Sequence, residues 1–457
     1  MENKLKPDME QNVYAFNNSQ DVVTLQTKYA LFKRVINILF SVTFDDGFDE
    51  DLMHKAIDLM IARNDSLRLK EIKVGKESRL VFEPERKIGP IPSLSFATSS
   101  QFNAYLRRYR KAPTDLKKGR SLEARFYKDP AGKQSILFKV SHMTADTYGI
   151  GVLVEDLCKV YEALKAGAEL PPAPGSFETV LKNDNAFMAN EEAVSKDQAF
   201  FEEYFTKRHP DRPIYCGIHG NGSDRWLKCK RKGAISLPYL FIKCDTQGYR
   251  FTIPSAVSLQ AQAWCAEHGV TMNSFFFYTC AIATSLLNDR ARYQTPIELL
   301  NNRGTLAERK AAGTKAQSIS VYTTVDYDKS FLDNLLPLAD EQKELYRHTR
   351  LSYLGVEALM HKTYDYSMLG QTTPFAFSFI PMRTPKGIHL RVHSNGKGAL
   401  VAYIAMMLDV DTNEIETVYD IQTEMVTPQQ LVDFQNLWIH VVEAVMARSD
   451  VPMKELF

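Results

Sequence analysis

A histidine followed four residues later by an aspartate, in Ser141-His142-Met143-Thr144-Ala145-Asp146-Thr147-Tyr148-Gly149, carries the densest chemistry in this 457-residue chain. Histidine is the side chain whose unperturbed pKa, ~6.5, lets it accept and return a proton near neutral pH. At the end of a strand its ring can present a nitrogen to a cleft, and a carboxylate four residues on can bend back to hold the turn. The same residues also read as a satisfied core histidine and a helix-capping aspartate, and spacing alone leaves both readings open. His389 and His393 stand four apart as well. Their neighbours Leu390, Val392 and Asn395-Gly396 read as strand and turn, which sets the two rings ~13 Å apart, so no metal is expected. The chain has no GxxxxGK[ST], GxSxG or strand-borne GxGxxG, which leaves phosphoryl transfer and serine hydrolysis without support.

These residues need elements to position them. Ile136, Phe138 and Val140 alternate along a strand at 134–141, and His142 continues their face. The chain then turns through Asp146 and Gly149 into a helix from about 150 to 165, with Ile150, Leu153, Val154, Leu157, Val160 and Tyr161 on one side. Upstream, 34–44 reads as a buried strand and Asp49 as the N-cap of a helix running to Arg63. Strands are expected at 66–73, 79–83 and 123–128, and a helix near 100–110. Breakers crowd 166–175, a linker composition. Beyond it come an aromatic helix around 200–205, helices at 255–268 (closed by Gly269) and 273–288, and a strand at 295–300. A last helix is announced by Thr427-Pro428-Gln429-Gln430, which supplies an N-cap, a first-turn proline and a capping-box glutamine. Residues 1–12 read as a flexible tail, 13–175 as an N-terminal lobe and 176–457 as a C-terminal lobe.

Composition narrows the function classes. Lys+Arg number 56 and Asp+Glu 55, a net charge of +1, which argues against a general nucleic-acid binder. Six scattered cysteines with no CxxC fit a reducing compartment. The N-terminus lacks the apolar core of a signal peptide, and the longest apolar runs fall short of the ~20 residues that span a bilayer. A cytoplasmic protein with no membrane span is expected.

Several segments, in order, resemble the condensation-domain and chloramphenicol-acetyltransferase-like superfamily of acyltransferases over roughly 25–457. Leu59 to Arg68 is similar to the family's helix ending in R-H-D-x-L-R, with Asn64 in place of His. Lys117 to Arg125 looks like K-G-P-L-x-R-A, and His142 and Asp146 fall on the second His and the Asp of H-H-x-x-x-D-G. Val160 to Leu164 looks like L-Y-x-A-L, Gly269 to Asn273 resembles G-V-T-x-N, and Asn301-Asn302-Arg303 sits where the family has a strand ending in arginine.

The resemblance implies an α/β fold of two chloramphenicol-acetyltransferase-like lobes, mixed β-sheets flanked by helices, set in a V with a central tunnel. It implies an acyl thioester donor, carrier-bound or acyl-CoA, and an amine or alcohol acceptor, with no permanently bound cofactor, no metal and a monomeric chain; with no D-S-L phosphopantetheine site after the second lobe, the donor is expected in trans. His142 would orient or deprotonate the nucleophile. Asp146 and Gly149 would support the site, with Arg303 as first choice of partner for Asp146 and Arg63 as second. Two positions depart from the pattern: Ser141 replaces the first His, and Thr147 replaces the Gly after Asp. Thr147 could narrow the acceptor channel or select a small acceptor, and it is the argument for a rival reading of the same fold, a catalytically silent recruitment module. A CoA-dependent alcohol O-acyltransferase shares the chemistry. The basic run Lys228-Cys229-Lys230-Arg231-Lys232 reads as a solvated loop or, through Lys230 and Arg231, as a docking patch for the donor's phosphate or an acidic carrier.

Overall fold

The computed structural model describes residues 12–29, 33–220, 230–231, 234–236, 244–366, 370–371, 373–398 and 400–457. The expected tail lies outside these apart from Asn12, as do Lys228, Cys229 and Lys232 of the basic run.

The alternating run 134–141 becomes the central strand of a five-stranded sheet. Its spatial order is Ile388–His393, Asn37–Phe44, Gln134–Ser141, Leu122–Lys128 and Ser93–Ser95. All neighbours are antiparallel except the last pair. Phe40, Val42, Ile136, Phe138 and Val140 turn one face toward helices Glu50–Arg63 and Thr147–Ala166. On the other face Leu39 and Leu137 meet Leu106 of helix Ser99–Tyr109. The strand expected from residue 34 starts only at Asn37, because Lys33–Ile36 closes a 3-10 turn. Asp65–Arg68 does the same before the hairpin Leu69–Val74 and Glu77–Phe82. There the Asp65 carboxylate is occupied by the N–H groups of Phe177 (2.8 Å) and Glu178 (3.1 Å) rather than by a strand.

The second sheet has six strands in the order Ala316–Ser320, Ile297–Asn301, Ala376–Met382, Ala402–Asp409, Ile415–Gln422 and Thr246–Ile253. One face packs on helices Met272–Leu287 and Pro428–Ala447 through a large aromatic core. Trp438 is fully buried there and donates its indole N–H to Thr279 at 3.0 Å. The capping box at Thr427 and Gln430 starts the last helix. Gly269 follows the helix Ser255–Glu267 with φ +66°, a conformation glycine takes without strain.

Two features join the sheets. The strand Ile388–His393 leaves the second half of the chain and pairs with Asn37–Phe44 at the edge of the first sheet. Arg250, on the second sheet, donates to the Val392 carbonyl of that same strand. Among the described residues no single helix is long and apolar enough to cross a membrane; the pair Ser255–Glu267 and Met272–Leu287 is bent by 108°, and the second of these is buried along most of its length.

Candidate functional site

His142 lies one residue beyond the strand Gln134–Ser141. Its N–H donates to the Ile36 carbonyl at 2.7 Å, and its own carbonyl accepts from the Thr314 hydroxyl. The next carbonyl, of Met143, accepts from the Gln20 amide at 2.9 Å. Three segments distant in sequence therefore fix the backbone on either side of the ring. Solvent reaches part of His142, yet the surrounding protein desolvates it strongly. Burial lowers its pKa below the ordinary 6.5, against smaller opposing effects from its own backbone and the Asp146 charge. The imidazole is thus neutral at pH 7, the form that accepts a proton. Its Nδ1 is buried without a hydrogen-bond partner of ordinary geometry among the described residues.

Asp146 is the N-cap of helix Thr147–Ala166, its Oδ1 accepting from the Gly149 N–H at 2.8 Å. That cap explains why the helix begins three residues earlier than its apolar face suggests. Arg303 grips the carboxylate in a fork, Nη1 to Oδ2 at 3.0 Å and Nη2 to Oδ1 at 3.1 Å, and the Lys315 N–H adds a fourth bond at 2.7 Å. Burial would raise the Asp146 pKa; the Arg303 charge and the hydrogen bonds from Arg303, Gly149 and Lys315 outweigh it and hold the pKa below the usual carboxylate value. Four donors from outside the imidazole occupy both oxygens, an arrangement that fits a clamp on the loop rather than a proton relay. Arg303 also donates to the Asn301 side chain and the Gly313 carbonyl, and its guanidinium lies 4.7 Å from the centre of the Tyr148 ring.

Gly149 is required by a close approach. A Cβ added there would sit 1.9 Å from the Ala312 carbonyl oxygen, far inside van der Waals contact. Gly149→Ala is expected to cost about 1–3 kcal/mol by overpacking, read as a lower Tm; an unchanged Tm would mean that the 311–313 segment yields freely.

The structure brings His142, Asp146, Gly149 and Arg303 together and leaves Arg63 elsewhere. Arg63 pairs with Asp156, which lies ten residues beyond Asp146 on helix Thr147–Ala166, through Nη2 at 2.9 Å. Asn64 donates to that carboxylate at 2.9 Å too. The reason is geometric: Asp156 faces the end of helix Glu50–Arg63, whereas Asp146 is already saturated by the crossing segment. Lys230 and Arg231 form a short strand against Ala234–Ser236; their side chains lie outside the described residues. His389 and His393 occupy one strand as expected and have separate partners, Asp45 at 3.1 Å and the Ser41 hydroxyl at 2.7 Å.

Sequence reasoning missed Gln20, Thr314 and Lys315. The signal available was the small-residue run Ala311-Ala312-Gly313, which lets this segment approach closely: a Cβ on Gly313 would strike the Phe177 ring at 1.9 Å.

Residues 10–214 match the family model for the condensation domain. The chain is 19% identical over 462 residues to a plipastatin synthase of Bacillus subtilis (strain 168), covering 98% of this chain and only 17% of that much longer protein. Among solved structures it is similar to the starter condensation domain of rhizomide synthetase, a mutant in complex with C8-CoA, with TM-score 0.77, 15% identity and 97% of each chain covered. It is also similar to the condensation domain of the monacolin K polyketide synthase, with TM-score 0.79, 12% identity, and 97% and 99% covered.

Proposed function

From a chain that has the condensation-domain fold throughout, and that matches the condensation-domain family in sequence over residues 10–214, we propose an acyltransferase that joins an acyl thioester to an amine or alcohol. The carrying observation is a neutral, desolvated histidine that solvent still reaches, on a backbone fixed from three sides. With Nδ1 buried, Nε2 is the nitrogen left to face a reactant. It accepts the proton of the N–H or O–H group as that group attacks the thioester carbonyl. The new C–N or C–O bond forms, the C–S bond breaks, and the proton passes to the departing thiolate. Asp146 and Arg303 hold the loop that carries the base. The donor is carried on CoA or on the phosphopantetheine arm of a carrier protein. The two lobes, 13–175 and 176–457, meet at this site, the strand Ile388–His393 crossing between them, and a tunnel between the lobes admits donor and acceptor from opposite sides.

The test is mass spectrometry of products from a panel of acyl-CoA and carrier-bound donors offered with amines and alcohols. An acyl adduct that depends on His142 supports the reading, and no adduct with any pair removes it. The pH profile is a second check. Because the folded His142 pKa is lowered, its basic form survives acidification, so the acid limb of kcat/KM is expected below pH 6.5. A limb at or above that value would contradict a desolvated base. Thr147, partly accessible at the start of the helix, supports the second reading, a silent recruitment module. That reading predicts binding of a thioester donor with no turnover, restored in Thr147→Gly.

A further inference from the structure

We propose that Asp420 and Tyr403 form a recognition subsite for an acceptor that carries an ammonium group besides the atom that is acylated. This rests on the acyl-transfer reading of His142 and names the class of acceptor.

The two residues are direct partners across adjacent antiparallel strands of the second sheet, so their side chains share one face with Cβ atoms ~5 Å apart. Their neighbours Ala402, Ile404, Tyr419 and Ile421 belong to the aromatic core on the opposite face. Tyr403 and Asp420 therefore look away from the helices, on the face from which Arg250 reaches the crossing strand. Burial raises the Tyr403 phenol against an opposing hydrogen bond with Ser378 at 3.3 Å, and the charges of Asp420 and Asp146 raise it further. Tyr403 thus lies within electrostatic reach of both the clamp beside His142 and the Asp420 carboxylate. Solvent reaches part of each residue, as it does His142.

Charge accounting singles out Asp420. Other buried carboxylates have a cation in contact: Asp146 has Arg303 at 3.0 Å, Asp156 has Arg63 at 2.9 Å, and Asp184 has Lys315 at 2.7 Å. Asp420 accepts hydrogen bonds from Ser394 at 2.7 Å and Thr246 at 3.1 Å. Among the described residues it has no ion pair. The Arg110 charge acts on Asp420 without contact, its guanidinium being directed at the Ser394 carbonyl, at 3.2 Å. Glu298 also lacks a cation but is fully buried and takes hydrogen bonds from Asn273, Gln342 and Tyr346. Glu298 is closed to any ligand; Asp420 is open to one. A carboxyl held in a desolvated, partly accessible place with no cation in contact is suited to receive one from outside.

The test uses two acceptors of matched length, 1,4-diaminobutane and pentylamine, with the full chain. Asp420→Asn keeps the shape and removes the charge. It is expected to weaken diaminobutane binding by calorimetry about tenfold or more, and to abolish any preference for the diamine in kcat/KM while pentylamine is unaffected. Tyr403→Phe is expected to raise KM for the diamine and leave KM for the thioester unchanged. Equal diamine binding by wild type and Asp420→Asn, with Tyr403→Phe silent, would overturn the subsite. The binding arm needs no turnover. Diamine binding that depends on Asp420 in a protein inert toward every donor would therefore sink the transfer reading and not the cation site.

Discussion

His142→Ala is expected to lower kcat/KM for acyl transfer about 10²–10⁴-fold, the usual contribution of a positioned general base, with little change in Tm. The two effects separate because the contacts that hold this position belong to the backbone. The N–H to Ile36 and the carbonyl to Thr314 survive replacement of the side chain. The ring's Nδ1 has no described partner to orphan, so its removal leaves behind no unsatisfied group. Turnover at the wild-type rate would end the mechanistic reading. A large loss of stability would return His142 to the role of a core histidine.

Breaking the Asp146–Arg303 pair is expected to give the opposite pattern, with stability lost first and activity in consequence. Both side chains are almost wholly buried. Removing one partner leaves an uncompensated charge in a desolvated place, at about 3–5 kcal/mol, and Arg303→Ala should show this in urea denaturation at pH 7. The pH dependence gives a second readout. The Asp146 pKa is lowered in the folded state, so its stabilisation is fully present above the unfolded value of ~3.9 and is lost as pH falls through the native value. Wild type should therefore lose more stability on acidification below pH 4 than Asp146→Asn, which starts lower and has no such group to titrate. If Asp146→Ala melted like wild type and lost only activity, the clamp would be wrong and a direct catalytic role for Asp146 would be needed.

Elements with punctuation were legible from residues alone. Asp49, Gly269 and the Thr427 capping box set helix boundaries by local bonding, and the alternation at 134–141 fixed which face each side chain takes. Helix Asn18–Tyr29 carries no strong apolar stripe, and Phe331–Leu345 contains Pro337, which argues against a helix when read locally. Strand Ala376–Met382 includes Pro381, which demotes a strand in the same way. At the site, an aspartate that needs an arginine could be foreseen. That Arg63 goes to Asp156 could not, because the choice depends on how helix Glu50–Arg63 lies against helix Thr147–Ala166, and sequence periodicity is silent on that.

The borrowed strand Ile388–His393 has a consequence for biosynthesis. Asn37–Phe44, rich in apolar side chains, emerges from the ribosome long before the partner of its outer edge, which follows only some 350 residues later (Leu39 opposite His393). At synthesis rates of about 5–20 residues per second, that edge stays unpaired for about 20–70 s, exposed to the pairing errors that open strands invite. The first sheet is completed only by a strand from the second half, so the chain cannot finish one half before starting the other. The histidine loop that leans on Thr314 and Arg303 is set only after that long wait has begun to close.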